Sequence, residues 1–496
     1  MNPLYTSKYG PWVLGGVIFA GVAVGVVVLG LLAATITLRR AEVASIYNNK
    51  KVEITGLESR NDRWAANYPR EYETWQKTKE KDFKTKHMGN QFEDVLAHRP
   101  DMVVIWAGYL FSRDYNAPRG HWYAMEDLRA TLRTGTPGVG DLKDIQMAAC
   151  YNCKSPDVPR LMQEMGAENY YKSSWSSFGA EAVNPIGCAD CHDPATMNLT
   201  ITRPSLSEAF KRWQGRDITE ATNQEMRSLV CAQCHVEYYF KGPDRHVTFP
   251  FDKGITLEQM EEYYDELEFA DWTHALSKTP LVKAQHPDYE VFLLGAHGQR
   301  GLSCADCHMP YISEGGLKFS DHHLSSPLRN IASSCQTCHR DSEENLKQYV
   351  YERQDKILEI RDRLEPELVK AHIMAKAALD NGATDGDLAE ARKHIRAAHW
   401  RWDFGTASHG ASFHAPVETA RILAHGLDRA LLAQLALKDV LRDHGVTEVE
   451  MPDLSTKEKA QAYIGLDMAT LKSQKAEFLK TIVPEWLKTA KANGRI

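Results

Sequence analysis

No cysteine in this chain stands outside a Cys-x-x-Cys pair, so no thiol is left over for a structural disulfide. No run of Lys and Arg offsets the acidic balance of the 496 residues, whose net charge is −7 and isoelectric point near 6.3, and this excludes a nucleic-acid-binding surface as the organising theme. Without a basic excess, an anionic substrate must be drawn by a local positive pocket and not by the field of the whole protein. Charge of either sign is also missing between Lys8 and Arg39.

The ten cysteines that are present form five CxxC units. Four are followed by histidine: Cys188-Ala189-Asp190-Cys191-His192, Cys231-Ala232-Gln233-Cys234-His235, Cys304-Ala305-Asp306-Cys307-His308 and Cys335-Gln336-Thr337-Cys338-His339. CxxCH is the c-type haem attachment site, in which the cysteines form thioethers and the histidine ligates the iron. The first unit, Cys150-Tyr151-Asn152-Cys153-Lys154, has the same form with lysine in the histidine's place. A zinc ribbon would pair two CxxC units about 15–20 residues apart and needs no histidine after each; the gaps here are longer and uneven. A thioredoxin-like redox site would show one CxxC near a βαβ pattern. Five covalently bound haems c are therefore expected.

The uncharged N-terminal run, Trp12 to Leu38, is long enough to cross a bilayer as a helix. A cleaved signal peptide has a shorter apolar region, about 7–15 residues, so an uncleaved anchor over 12–38 is favoured, with residues 1–11 as a cytoplasmic tail. Because haem is attached covalently outside the bacterial cytoplasmic membrane, residues 41–496 are expected on the periplasmic side of the inner membrane. Arg39, Arg40, Lys50 and Lys51 on that side, against Lys8 and the amino terminus within, oppose the positive-inside tendency.

Residues 41 to about 148 read as short helices joined by loops, with turn signals at Pro118 and Pro137. The haem-binding part, 149–340, is interrupted by Gly and Pro, with one helix expected after a Thr256–Gln259 capping box and Met260, Tyr263 and Tyr264 on its apolar face. The C-terminal part, 341–496, carries long helical periodicities: 342–380, broken near Pro366 and stopped at Gly382; 387–402; 417–443, ended by Gly445; and one after a Ser455–Glu458 capping box. The fold class is mainly α, a multihaem cytochrome c fold with little β, a haem-packed core and long C-terminal helices. Those helices could serve as scaffold or as subunit interface.

Lys154 separates an enzyme from a wire. Iron with His on both faces is six-coordinate and suited to electron transfer, whereas a lysine amine is a σ-donor that binds only once burial and the metal displace its proton. The plainer alternative is a solvated Lys154 beside a haem ligated from elsewhere.

At this point the chain resembles the pentahaem, ammonia-forming cytochrome c nitrite reductases. The resemblance covers nearly everything after the anchor: CxxCK followed by Ser155-Pro156-Asp157, the run CAQCHVEYYF from Cys231 to Phe240, and KTPLVKAQH from Lys278 to His286. It continues through Trp400-Arg401-Trp402-Asp403-Phe404, Ser408-His409-Gly410, His414-Ala415-Pro416 and Ser455 to Ala460.

The resemblance implies six-electron reduction of nitrite to ammonium at the haem on Cys150 and Cys153, with Lys154 as its ligand and the opposite iron face open. It implies Arg133, Tyr238 and His286 as the other catalytic residues, and distal ligands His322, His121, His414 and His297 for the haems on Cys188, Cys231, Cys304 and Cys335. It also implies a calcium ion held by Glu237, Tyr238, Lys283 and Gln285. Arg133 cannot lose its charge and suits an anion, and His286, titrating near neutrality, suits proton delivery. Calcium takes oxygen ligands, so Lys283 would contribute its backbone carbonyl. Four of the twenty histidines lie in the motifs and the other sixteen are enough for these roles; His323 and His409 are expected to be non-ligands.

As partners, the resemblance implies a membrane quinol-oxidising multihaem cytochrome or a small cytochrome as electron donor, and a homodimer. Hydroxylamine or sulfite are possible second substrates. Two alternatives stay open: a purely electron-carrying multihaem cytochrome, and a related sulfite- or hydroxylamine-converting enzyme.

Overall fold

The computed structural model describes residues 9–48, 50–140 and 146–496; residues 1–8 of the expected cytoplasmic tail, Lys8 among them, lie outside the described residues. Helix α1 (Gly10–Asn48) contains the expected span of 12–38 and extends beyond it at both ends. Within Gly10–Ala41 an 18-residue stretch has a mean hydropathy of 2.8, and none of that stretch is buried against the rest of the chain. The hydroxyls of Thr35 and Thr37 donate to the carbonyls of Leu31 and Ala33, each at 2.8 Å, which satisfies polar groups that hydrocarbon could not.

From residue 50 the chain packs on the second CxxC motif. Asn61 Oδ1 accepts from the Cys188 backbone N–H at 2.9 Å, and the Trp75 indole donates to the Ile186 carbonyl at 3.0 Å. Between 50 and 340 the helices are short and strand content is confined, among the described residues, to three two-stranded antiparallel hairpins: Tyr239–Lys241 with His246–Thr248, Trp272–Thr273 with Pro280–Leu281, and Tyr311–Glu314 with Leu317–Ser320. The expected capping box forms: the Thr256 hydroxyl accepts from Gln259 N–H, the Gln259 side chain returns to Thr256 N–H, and Met260, Tyr263 and Tyr264 are buried on the helix Leu257–Glu266.

The C-terminal part is built on α2 (Glu343–Asp380), α3 (Ala389–Ala407) and α4 (Pro416–Asp443), with α4 lying along both of the others. Gly426 marks the crossing: a Cβ there would come within 2.9 Å of Leu364 Cδ2 and 3.2 Å of Arg401 Cβ, so a larger residue would have to push these side chains aside. One expectation is corrected. α2 does not break at Pro366 but runs through it for 38 residues. An internal proline costs a helix about 3 kcal/mol, yet Leu364, Glu365, Leu368 and Val369 around it are buried, and Glu365 accepts from the Trp402 indole at 2.9 Å and pairs with Arg99. Tertiary packing overrides the local penalty. Asn381 caps α2, and Gly382 follows at φ +89°.

The start of the next helix also shifts. Its cap is Thr456, whose hydroxyl accepts from Lys459 N–H, and not Ser455; the helix Lys457–Tyr463 is short. A separate helix, α5 (Met468–Ala492), follows behind an Asp467 cap. It returns to the first motif, where Phe478 and Trp486 pack on Trp175 with ring centroids 5.9 and 5.4 Å away.

Candidate functional site

The five motifs are not arranged in space as in sequence. Cys153 of the first motif lies beside Cys234 of the third, and Cys231 of the third lies beside Cys304 of the fourth. The Gln233 side chain of the third donates to the Asp190 carbonyl of the second at 3.0 Å, and Ser334, just before the fifth, donates to the Cys307 carbonyl of the fourth at 2.9 Å. The order is therefore first, third, fourth, fifth, with the second beside the third.

The donor chemistry fits haem. Three of the CxxCH histidines face the histidine expected opposite: the ring centroids of His192 and His322, His308 and His414, and His297 and His339 are each 6.2 Å apart. Two metal–imidazole bonds of about 2 Å each, together with the two ring radii, fill such a span. The fourth pair is His121 and His235, where burial, aided by His235 and Lys154, pushes His121 down to about 3. Burial likewise takes His414 to about 4, with His308 adding to the shift. The His121 and His414 rings are thus held neutral, the form that ligates a metal. The expected non-ligands find other company: His323 lies 3.9 Å from Glu80, and His409 packs on His286 with centroids 5.2 Å apart.

At the first motif, Lys154 N–H donates to the Tyr151 carbonyl at 2.8 Å, which closes a tight turn. The side chain is half-buried, and among the described residues no carboxylate pairs with its ammonium. Asp157, three residues on, is fully buried and accepts from Ser59, Ser155 and the backbone N–H groups of Val183 and Asn184, which fixes the loop after Lys154. A second brace is Arg203, paired with Asp190 at 2.5 Å while donating to the Asn152 and Ser155 carbonyls.

The other expected catalytic residues converge here. The Gln146 side chain donates to the Arg133 carbonyl at 3.0 Å and accepts from Cys150 Sγ at 3.3 Å. Arg133 Nε donates to Thr131 Oγ1 at 3.2 Å, and its guanidinium lies over Phe111, 4.3 Å from the ring centroid. Burial, then the nearby Cys153 and Cys150, raises the Tyr238 phenol well above its usual range, so it stays a proton donor. His286 departs from the expected titration near neutrality: burial pushes it to about 4, against the upward pull of Asp288. Burial disfavours an ionised Asp288, yet His235 and His286 hold its carboxyl well below the usual range. Asp288 Oδ2 lies 3.3 Å from His235 Nδ1 and 3.5 Å from His286 Nδ1.

Around the expected calcium residues, Glu237 is completely buried and burial raises its carboxyl well above the usual range. Its oxygens accept from Tyr264 at 3.1 Å and from Gln285 N–H at 2.6 Å, and no cationic side chain pairs with it among the described residues. The Gln285 side chain reaches the Lys283 carbonyl at 3.3 Å, while the Lys283 ammonium points away to Asp403 at 2.7 Å. An unpaired buried carboxylate beside a carbonyl and an amide is an oxygen donor set that fits calcium, and the Lys283 side chain is turned so that only its carbonyl could serve.

Sequence reasoning gave no role to Asp288, Asp403, Gln146 or Arg203. Asp288 had a signal, an acid two residues after His286. Asp403 lies within the Trp400–Phe404 run that carried the resemblance but has no chemistry until Lys283 meets it.

The family model described as cytochrome c552 matches residues 60–494. Among curated relatives, cytochrome c-552 of Bacteroides fragilis is 61% identical over 97% of this chain and 98% of its own length, and that of Porphyromonas gingivalis is 59% identical over 97% and 96%. A solved structure of cytochrome c nitrite reductase from Desulfovibrio desulfuricans, described with two calcium sites, superposes with a TM-score of 0.74 at 30% identity, covering 88% of this chain and 96% of that one.

Proposed function

Because the chain belongs to the cytochrome c552 family, we propose that it reduces nitrite to ammonium as a multihaem cytochrome c nitrite reductase with c-type haems and calcium as its cofactors. The observation that carries this reading is the first motif: a half-buried lysine in the ligand position, without an acidic partner among the described residues, where the histidines of three other motifs each face a second histidine. Nitrogen falls by six oxidation states from nitrite to ammonium, which accounts for several haems serving one site.

When bound, the haems would supply the electrons, and Lys154 would hold the iron that takes up the anion. The chain's own residues do the rest. Arg133, held by Thr131 and the Phe111 face, binds the nitrite oxygens through charge-assisted hydrogen bonds. Tyr238 donates from a phenol that burial keeps protonated. His286, neutral at working pH, acts as a relay and not as a standing acid: Nδ1 is turned to Asp288, and Nε2 takes up and releases each proton bound for a departing oxygen. Glu237, the Tyr238 backbone, the Lys283 carbonyl and Gln285 would hold calcium and so fix the segment that carries His286.

The unpacked apolar helix α1 supports anchoring in the inner membrane, with residues 41–496 on the periplasmic side. Lys50, two residues beyond α1, donates to the Ala195 carbonyl at 2.5 Å beside the second motif, which supports electron input there from a membrane quinol-oxidising cytochrome. Exposed Leu431, Leu432 and Leu435 on α4 support a homodimer packed through that helix. The test is anaerobic: reduce the haem-loaded protein with an artificial donor, add nitrite, and compare ammonium formed with nitrite consumed. Near-equal amounts are expected. A fully loaded protein that leaves nitrite untouched would mark an electron carrier, and consumption without ammonium would mean that the site releases a partly reduced product.

A further inference from the structure

Arg133 sits in a short 3-10 turn, Leu132–Thr134, between two charged side chains, the half-buried Asp114 and the buried Lys475 from the C-terminal helix. On one side, Asp114 Oδ2 accepts from Thr131 Oγ1 at 2.9 Å and from Leu132 N–H at 3.2 Å. On the other, Lys475 of α5 reaches in with its ammonium and donates to the Arg129 carbonyl at 3.1 Å, Thr134 Oγ1 at 3.2 Å and the Gly135 carbonyl at 2.5 Å. Lys475 is only 4% exposed, and no carboxylate pairs with it among the described residues. A buried lysine is costly unless its three N–H donors are all used, and here three oxygens of one segment use them.

We infer that Lys475 is a positioning residue for nitrite binding: from the C-terminal helix it closes a clamp with Asp114 on residues 129–135 and thereby sets where the Arg133 guanidinium meets the anion. This rests on the nitrite-reducing function proposed above. The geometry gives the clamp a specific weakness. An ammonium has three N–H donors and a neutral amine has two, so losing one proton must strand one of the three oxygens. Burial pushes Lys475 down to about 7, with Asp114 the one charged group pulling it back up. Arg129, on the same segment, turns its guanidinium to the Gly179 and Ala182 carbonyls, and Arg133 faces Thr131 and Phe111. The face of Phe478, on Lys475's own helix, lies 4.9 Å from the ammonium. The folded pKa is therefore below the ordinary lysine value: the clamp is fully formed below pH 7 and loosens as pH rises through that value.

The experiment is steady-state nitrite reduction by the full-length, haem-loaded protein across neutral pH, for wild type, Lys475→Met and Thr134→Val. Wild-type KM for nitrite is expected to rise on the alkaline side of pH 7 with a smaller change in kcat. Lys475→Met, which removes all three hydrogen bonds, should show a KM raised at least about tenfold, the worth of a single hydrogen bond to a charged group, already at low pH and no longer pH-dependent there. Thr134→Val, which removes one acceptor and leaves the charge, should fall between the two and keeps the test alive if Lys475→Met does not fold. A wild-type KM flat through pH 7, a Lys475→Met KM equal to wild type, or loss confined to kcat would each overturn the clamp. A wild-type protein that makes no ammonium would instead defeat the proposed function itself.

Discussion

Lys283 and Asp403 form an ion pair, Nζ to Oδ1 at 2.7 Å, with side-chain exposures of 1% and 0%. The ammonium also lies over the rings of Trp106 and Phe111, at 5.1 and 5.0 Å, and the second Asp403 oxygen accepts from Ala284 N–H at 3.1 Å. Removing one partner leaves a bare buried charge. Asp403→Leu should therefore destabilise the protein by about 3–5 kcal/mol, while Lys283→Met combined with Asp403→Leu should recover much of that loss. Chemical denaturation of the two variants and wild type measures the difference; equal loss in the single and double variants would contradict it.

Deep in the helical part, His274 and His372 stack with centroids 3.7 Å apart, both fully buried. Burial takes His274 down to about 3 and His372 well below its usual range. Because the folded values lie below the unfolded one of about 6.5, the unfolded chain binds more protons on acidification. Stability should fall as pH drops below about 6.5 and continue falling toward 3. His372→Leu should flatten that limb in unfolding experiments run from pH 7 to 4.

At the first motif, Lys154→Ala should lower ammonium production at least about 100-fold, the upper range seen when even a residue behind a metal ligand is lost. The visible spectrum should keep the signature of four bis-histidine haems. Activity within a few-fold of wild type would move Lys154 to the surface reading.

Calcium affinity depends on ligand charge. Glu237→Gln, which removes the one carboxylate of the set, should weaken calcium binding by at least about tenfold, read by calorimetry on the chelator-treated protein, and should make nitrite turnover dependent on added calcium. Unchanged affinity would place the ion elsewhere.

The apolar helix α1 packs on nothing in the described structure. Deleting residues 1–41 of the mature coding region behind a cleavable export signal should move the enzyme from the membrane to the soluble fraction with unchanged turnover. Retention at the membrane would show that another surface binds there.

Much of this was legible from local chemistry. The Thr256–Gln259 box, the stop at Gly382 and the motif histidines each depend on residues within a few positions, where propensity and spacing decide. Pro366 misled because its cost is local while its compensation, Glu365 with Arg99 and Trp402, comes from elsewhere in the chain. The Ser455–Glu458 pattern placed the cap one residue early, because helix starts read from pattern alone are good only to a residue or two. The distal histidines and calcium residues came from resemblance, since no periodicity links His121 to Cys231 or Lys283 to Glu237. Lys475 and Asp403 carried no signal at all: a lysine on an amphipathic helix and an acid beside tryptophans look ordinary until folding brings their partners from over a hundred residues away.

The spatial order of the motifs sets how the chain tolerates damage. As a graph, the third motif is the junction through which the first reaches all the others: its cysteines neighbour those of the first and the fourth, and its Gln233 bonds the second. Disabling the second or the fifth motif prunes a branch and leaves another route inward. Disabling the third, through His121 or His235, disconnects Lys154 from every branch at once, so redundancy at the periphery coexists with a single point of failure one step from the chemistry.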